Sequence, residues 1–238
     1  MDRIITKVKH LGSGKILNDI EGLARSALKN ATNEKSCSQI GQDVFALLFS
    51  GFKNNGFFVE FGATDGVGLS NSHLLEKGFD WNGILAEPET KWHSDLLTNR
   101  TCHIETNCVW SKTGGKLDFC SVEAAELSTI EKYANGDLHA KARKKSSSYQ
   151  VDTISLLDLL KKYDAPEEID YLSVDTEGSE LEILSAFDFS AYKFNFISIE
   201  HNRTSARQAI CSLMVQNGYE RVFETQSQFD DWYIPSQP

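Results

Sequence analysis

Basic side chains are the scarcer sign, 24 Lys and Arg against 34 Asp and Glu, and the formal net charge of −10 repels phosphate backbones. That excludes a general nucleic-acid surface and disfavours acidic partners. Cysteine is sparse as well. Cys37, Cys102, Cys108, Cys120 and Cys211 form no C-x-x-C pair, so neither a zinc knuckle nor a disulfide framework is expected. Their thiols read as small buried apolar groups. No stretch is long and apolar enough to span a bilayer, and residues 1–20 carry charges where a signal peptide has an apolar centre. A cytoplasmic protein with no integral membrane association is expected. Phosphate loops are missing too: Gly62, Gly66 and Gly68 are spaced G-x-x-x-G-x-G, not as the dinucleotide fingerprint, and GSGK at residues 12–15 completes no phosphate-binding loop. A nicotinamide-dependent oxidoreductase would therefore lack its pyrophosphate cradle.

What is present is a regular alternation of apolar patterns. Residues 1–35 are polar, with a weakly amphipathic segment from Ile16 to Leu28, and predict a helical N-terminal extension ahead of one domain over residues 36–238. Ile40, Val44, Leu47 and Leu48 recur at helical spacing. FFVEF (57–61) then reads as a buried strand entering a glycine turn. SNSHLLEKGF predicts a helix, WNGILAEPE a second strand ending at Glu87, ETKWHSDLLTN a helix, and HIETNCVW a third strand.

From GGKLDF to about Ser148 the pattern weakens, and KARKKSSSY reads as an exposed basic loop, placed where a lid over a substrate would sit. Strand and helix resume in YQVDTISLLDLLKKY, with Thr153 or Ser155 as the cap. DYLSV predicts a strand ending at Asp175, SELEILSAF a helix, and FNFISIE a strand ending at Glu200 and His201. TSARQAICSLMVQNGY reads as a helix stopped by Gly218, and ERVFE and DDWYIP as two closing strands. Repeated alternation of this kind predicts an α/β fold with a doubly wound, mostly parallel sheet and an antiparallel C-terminal strand.

In such sheets ligands bind beyond the carboxyl ends of the strands. The acids at those ends are Glu60 with Asp65, Glu87, Asp175 and Glu200. Any one alone could cap a helix or face water; together they suggest a site. Carboxylates at the glycine turn would repel pyrophosphate, and Glu87 stands where an acid accepts hydrogen bonds from a ribose diol. A nucleoside carrying a positive charge instead of phosphates fits this pattern, and S-adenosylmethionine is such a molecule.

Three stretches, FVEFGATDGVGLSNS, ILAEPE and YLSVDTEGSELEIL followed by FISIEHN, carry a closer likeness. Through them the sequence resembles the FkbM family of S-adenosylmethionine-dependent methyltransferases from about Ser38 onward. The resemblance implies a Rossmann-like class I methyltransferase fold, with Gly62, Ala63, Asp65 and Gly66 lining the cofactor turn. It implies Glu60 beside the methionine amino group, directly or through water, Ser70 and Asn71 nearby, and Glu87 on the ribose. Asn107 and Cys108 become candidate walls of the adenine pocket. Asp175 falls nearest the transferred methyl. The family's usual acceptors are hydroxyls, often on sugars or polyketides, so an O-methyltransferase acting on a sugar hydroxyl is expected. A non-catalytic nucleoside-binding protein on the same fold is the alternative.

A sugar hydroxyl needs a general base or a metal ion before it attacks a methyl carbon. The candidates are Asp175, Glu177, Glu200 and His201. In one version His201 or Asp175 takes the proton without metal, which is the version we expect. In the other, Asp175, Glu200 and His201 hold a divalent cation. Glu177 also reads as a cap for the helix after it, and His201 as a packed histidine.

Overall fold

In the computed structural model residues 36–135 and 140–236 are described, and the helical extension expected over residues 1–35 lies outside them. Every residue of FFVEF after Phe57 is buried, as a central strand covered on both faces requires. This strand, β1 (Phe57–Phe61), follows α1 (Gln42–Phe49) and precedes α2 (His73–Phe79), β2 (Asn82–Ala86) and α3 (His93–Asn99). β1 pairs in parallel with β2, Phe61 facing Ala86.

The stretch expected as a third strand breaks in two. β3 (His103–Glu105) extends the main sheet beside β2, while β4 (Cys108–Trp110) leaves it for a second sheet. That sheet adds β5 (Lys116–Val122), β6 (Thr129–Ile130) and β7 (Ser146–Ser155), in the order β4-β7-β5-β6. The basic, serine-rich run is therefore no exposed loop over its whole length. Its serines open the ten-residue β7, which pairs antiparallel with β5 from Lys116↔Asp152 to Val122↔Ser146. Ser146, Ser147, Ser148 and Gln150 in the first half of β7 are all exposed, which gives it the composition of a loop.

α4 (Leu156–Lys162) follows, with Ser155 Oγ accepting from the Asp158 amide, so Ser155 and not Thr153 is the cap. β8 (Glu168–Val174), α5 (Glu180–Ser185), β9 (Lys193–Glu200), α6 (Ala206–Gln216), β10 (Tyr219–Val222) and β11 (Asp230–Pro235) complete the chain. The main sheet runs β10-β11-β9-β8-β1-β2-β3, parallel from β3 to β9, with β11 antiparallel between β9 and β10. Strand order reverses between β1 and β8, and there the carboxyl ends of the strands leave a crevice.

Strand periodicity places side chains alternately on the two faces. Val59 and Phe61 pack on the face shared with α4, α5 and the small sheet, and Phe58 packs on the face covered by α1 and α2. Glu60 therefore falls on the α1/α2 side, against the start of α2. Phe45 of α1 packs against Trp232 with ring centroids 4.6 Å apart and against Phe223 at 4.8 Å, closing that face over β11. None of the five cysteines is in a disulfide. No helix among the described residues is long and apolar enough to cross a membrane.

Candidate active site

A cleft of about 310 Å³ opens at the strand-order reversal, with Glu60, Glu87, Asp175, Glu177 and Glu200 all on its lining. Of the acids expected at the rim only Asp65 is elsewhere. Its carboxylate folds back to accept from the amides of Val67 (2.9 Å) and Gly68 (2.7 Å) and so shapes the glycine turn.

The turn brings backbone very close to the next strand end. Gly62 has φ +75°, and a Cβ there would lie 2.2 Å from the Asp175 carbonyl oxygen, so no other residue fits. Gly62 also lines the cleft, whereas Ala63 and Gly66 do not. Ala63 is in the core, and Gly66 packs against Arg100, whose Cγ would be 2.6 Å from a Cβ. Thr64, Leu69, Glu177 and Asn202 line the cleft with φ between +42° and +62°. Strained backbone of this kind gathers where side chains must be aimed.

Glu60 is 2% exposed. Its Oε1 accepts from the Asn71 amide at 2.7 Å, and its Oε2 from the hydroxyls of Ser70 (3.1 Å) and Ser72. Burial pushes its carboxyl up, and the Arg100 charge and these hydrogen bonds oppose that push. Ser70, which does not line the cleft, thus acts on Glu60 from behind. Asn71 does line it: Nδ2 donates to Ser173 Oγ at 3.0 Å, and Oδ1 has no hydrogen-bond partner among the described residues.

Glu87 is held by two amides, Thr64 to Oε2 and Glu89 to Oε1, each at 2.8 Å. Burial nevertheless carries its carboxyl up to about 7, against these two amides and with help from the charges of Glu89 and Glu60. Cys108 lines the cleft, its thiol pushed up to about 12 by burial and by Glu87. It is a wall and no nucleophile. Asn107 is not on the lining; its amide donates to Glu105 Oε1 at 3.0 Å and turns the chain from one sheet into the other. Val109, Phe119 and Ile130 of the small sheet supply an apolar wall beside Cys108.

On the far side Asp175, Glu177 and Glu200 place carboxylate oxygens within 4.8 Å of one another. Burial and the neighbouring Glu177 charge drive the Asp175 carboxyl well above its ordinary range, and burial with Asp175 does the same to Glu200. Gathered out of water, these carboxyls disfavour one another's charge. Asn202 Nδ2 donates to Glu200 Oε2 at 2.8 Å, and Arg143 Nη2 to Glu177 Oε2 at 2.8 Å. Among the described residues this triad is the set that could hold a divalent cation, and His201 is not in it. His201 does not line the cleft: its Nδ1 accepts from the Arg203 amide at 2.9 Å, and its Nε2 points to Asp231 at 3.8 Å. Glu177 does not cap the helix after it either. No side-chain bond caps α5, and Glu180 in its first turn instead ties down the turn ahead of it, accepting from the amides of Thr176 (3.1 Å) and Gly178 (2.9 Å) and from Thr176 Oγ1 (3.0 Å).

Three residues at or behind the cleft are not singled out by the sequence. Arg100 and Arg143 are charged residues in runs that look solvated, and only long-range pairing buries them, at 3% exposure each. Asn202 does follow Glu200-His201 directly, and its position after a strand end was the available signal.

Residues 60–232 match the model of the methyltransferase FkbM domain. The chain belongs to that family and is a methyltransferase, and S-adenosylmethionine is the methyl donor the family implies. A comparison with curated proteins returns no match. Among solved structures the chain is similar to a precorrin-6y C5,15-methyltransferase from Geobacter metallireducens, with 10% identity, TM-score 0.43, and 87% of this chain and 93% of that one covered. It is similar to a TehB-like SAM-dependent methyltransferase from Corynebacterium glutamicum, with 8% identity, TM-score 0.44, and 94% and 100% covered. A fibrillarin/Nop5p complex is a third such structure, with 12% identity, TM-score 0.38, and 84% and 81% covered.

Proposed function

We propose that this methyltransferase is an O-methyltransferase and that its acceptor is a sugar hydroxyl. The observation that carries the reading is the cluster of Asp175, Glu177 and Glu200 on the cleft lining, their carboxylate oxygens within 4.8 Å of one another, where burial raises the proton affinity of Asp175 and Glu200. An attacking hydroxyl must lose a proton, and a carboxylate with a raised proton affinity is the group to take it.

The residues of the other half fit the methyl donor. Asn71 Oδ1, without a partner among the described residues, and Glu60 offer two acceptors to a primary ammonium. Gly62 brings the backbone of the turn onto the cleft lining, Glu87 suits a ribose diol, and Cys108, Val109 and Phe119 suit a flat purine. When bound, S-adenosylmethionine supplies a methyl carbon made electrophilic by its positively charged sulfur.

On this reading Asp175 removes the hydroxyl proton while Glu200 and Asn202 orient the acceptor. Their fixed positions contribute through orientation, which in well-aligned pairs is worth about 7–11 kcal/mol. A sugar presents several hydroxyls to such a ring of acceptors and donors, which a polyketide acceptor does with fewer groups. We place the proton on Asp175 without metal. His201 keeps a supporting role, fixing the turn after β9 through its bond from Arg203.

Labelled S-adenosylmethionine with a panel of neutral, amino and acidic sugar acceptors, read by mass spectrometry, tests the proposal. Transfer to a hydroxyl oxygen is expected. Label on nitrogen or carbon only, or no transfer to any sugar in the panel, would refute it. Turnover is also expected to survive a chelator unchanged, and its loss with recovery on added magnesium would move Asp175, Glu177 and Glu200 to metal ligation.

A further inference from the structure

Arg100, at the end of α3, is fully buried as a side chain and donates in four directions. Nε reaches Glu76 Oε2 at 2.6 Å; Nη1 reaches the Gly66 carbonyl at 2.9 Å and Ser70 Oγ at 3.1 Å; Nη2 reaches Ser72 Oγ at 2.9 Å. It touches neither the cleft nor Glu60 directly. The hydroxyls of Ser70 and Ser72 lie between them.

A guanidinium has donors and no acceptor, so the two serine oxygens facing Arg100 must accept. Each hydroxyl then has its single proton left for the other side, and both protons go to Glu60 Oε2. With Oε1 already taking the Asn71 amide at 2.7 Å, Glu60 receives three donors from the protein. A carboxylic acid proton would have no acceptor among them. We infer that Arg100 is a positioning residue for the methyl donor: through Ser70 and Ser72 it orients two hydroxyl protons onto Glu60 and holds it as a pure acceptor for the donor's ammonium group. The inference rests on the reading of Glu60 as the amino-group partner.

Local charge agrees with this. Burial pushes the Glu76 carboxyl up, but its bond from Lys77 and the Arg100 charge overcome that and bring it down to about 2, so Glu76 stays ionised. Arg100 is thus shared between two carboxylates. The Glu60 end keeps negative character for an incoming cation. The same guanidinium ties down the Gly66 carbonyl, fixing the glycine turn and Glu60 by one group.

Calorimetric titration with two ligands tests this, using S-adenosylhomocysteine, which carries the amino acid, and 5′-methylthioadenosine, which does not. The proteins are the wild type, Glu60→Gln, Arg100→Lys and Ser72→Ala, the last removing the link without stranding a buried charge. Arg100→Lys and Ser72→Ala are expected to weaken S-adenosylhomocysteine at least about tenfold and 5′-methylthioadenosine less than about twofold. Equal losses for both ligands would make Arg100 a structural staple only and overturn the inference. If Glu60→Gln itself fails to discriminate between the ligands, the amino-group reading falls and takes the inference with it. Should Arg100→Lys not fold, Ser72→Ala decides alone.

Discussion

Arg143 Nη2 lies 2.8 Å from Glu177 Oε2, both side chains almost wholly shielded, joining the turn before β7 to the floor of the cleft. Arg143 Nε also donates to the Leu127 carbonyl at 2.7 Å, and Leu127 lines the cleft. One cation therefore fastens this wall of the cleft to an acid of the triad. Arg143→Met would leave the Glu177 charge buried and opposed by Asp175 and Glu200. A loss of about 3–5 kcal/mol in urea unfolding is expected, with most of it recovered when Glu177→Leu is added. Independent, additive losses would show that the pair does not act as a unit.

Glu87 should give the stability a recognisable pH dependence. Its carboxyl is raised by burial from 4.5 to about 7, so the folded state binds a proton more tightly than the unfolded chain. The stabilisation this provides is complete below about 4.5 and is lost as pH rises through about 7. The difference amounts to about 3 kcal/mol. Unfolding free energy of the wild type relative to Glu87→Gln is expected to fall across that window. Cofactor affinity is expected to rise across it, because the ionised form is the better acceptor of ribose hydroxyls. Parallel curves for the two proteins would remove Glu87 from both effects.

Gly62→Ala combines a left-handed backbone position with a Cβ 2.2 Å from the Asp175 carbonyl. The conformation alone costs about 1–2 kcal/mol, and the contact forces β1 and β8 apart. Differential scanning calorimetry is expected to show a lowered Tm together with weakened S-adenosylhomocysteine binding. Unaltered binding would mean that the cleft tolerates a wider separation of these strands.

Asp175→Asn keeps the shape of the side chain and removes its ability to take a proton. If Asp175 is the base, kcat is expected to drop by about 10²–10⁴ while the dissociation constant for S-adenosylhomocysteine changes less than about threefold. An unchanged kcat would pass the proton to Glu200, which the Glu200→Gln variant then reports.

The main sheet was legible because its strands are short apolar runs, buried on both faces and separated by helical periodicity. FFVEF, DYLSV and FNFISIE all became strands of it. The acids at their ends converge because parallel strands finish on one side. The small sheet was not legible, since β7 reads as a loop with its first three serines exposed and pairs with β5 across a gap of more than twenty residues. Such non-local ladders leave little trace in local pattern. Arg100 and Arg143 escaped notice for the same reason, as distant oxygens bury them. His201 illustrates the opposite error: it directly follows a strand end, yet strand alternation and its bond from Arg203 turn the ring towards Asp231.

The parting of the chain between Glu105 and Cys108 gives the crevice two banks whose ladders are knit separately. Lengthening or shortening the ribbon from Trp110 to Ser146 reshapes one bank and leaves the spacing of Glu60, Gly62 and Glu87 on the other intact. On the proposed function, a new acceptor needs only that single stretch edited, while the residues proposed to present the methyl carbon are inherited whole.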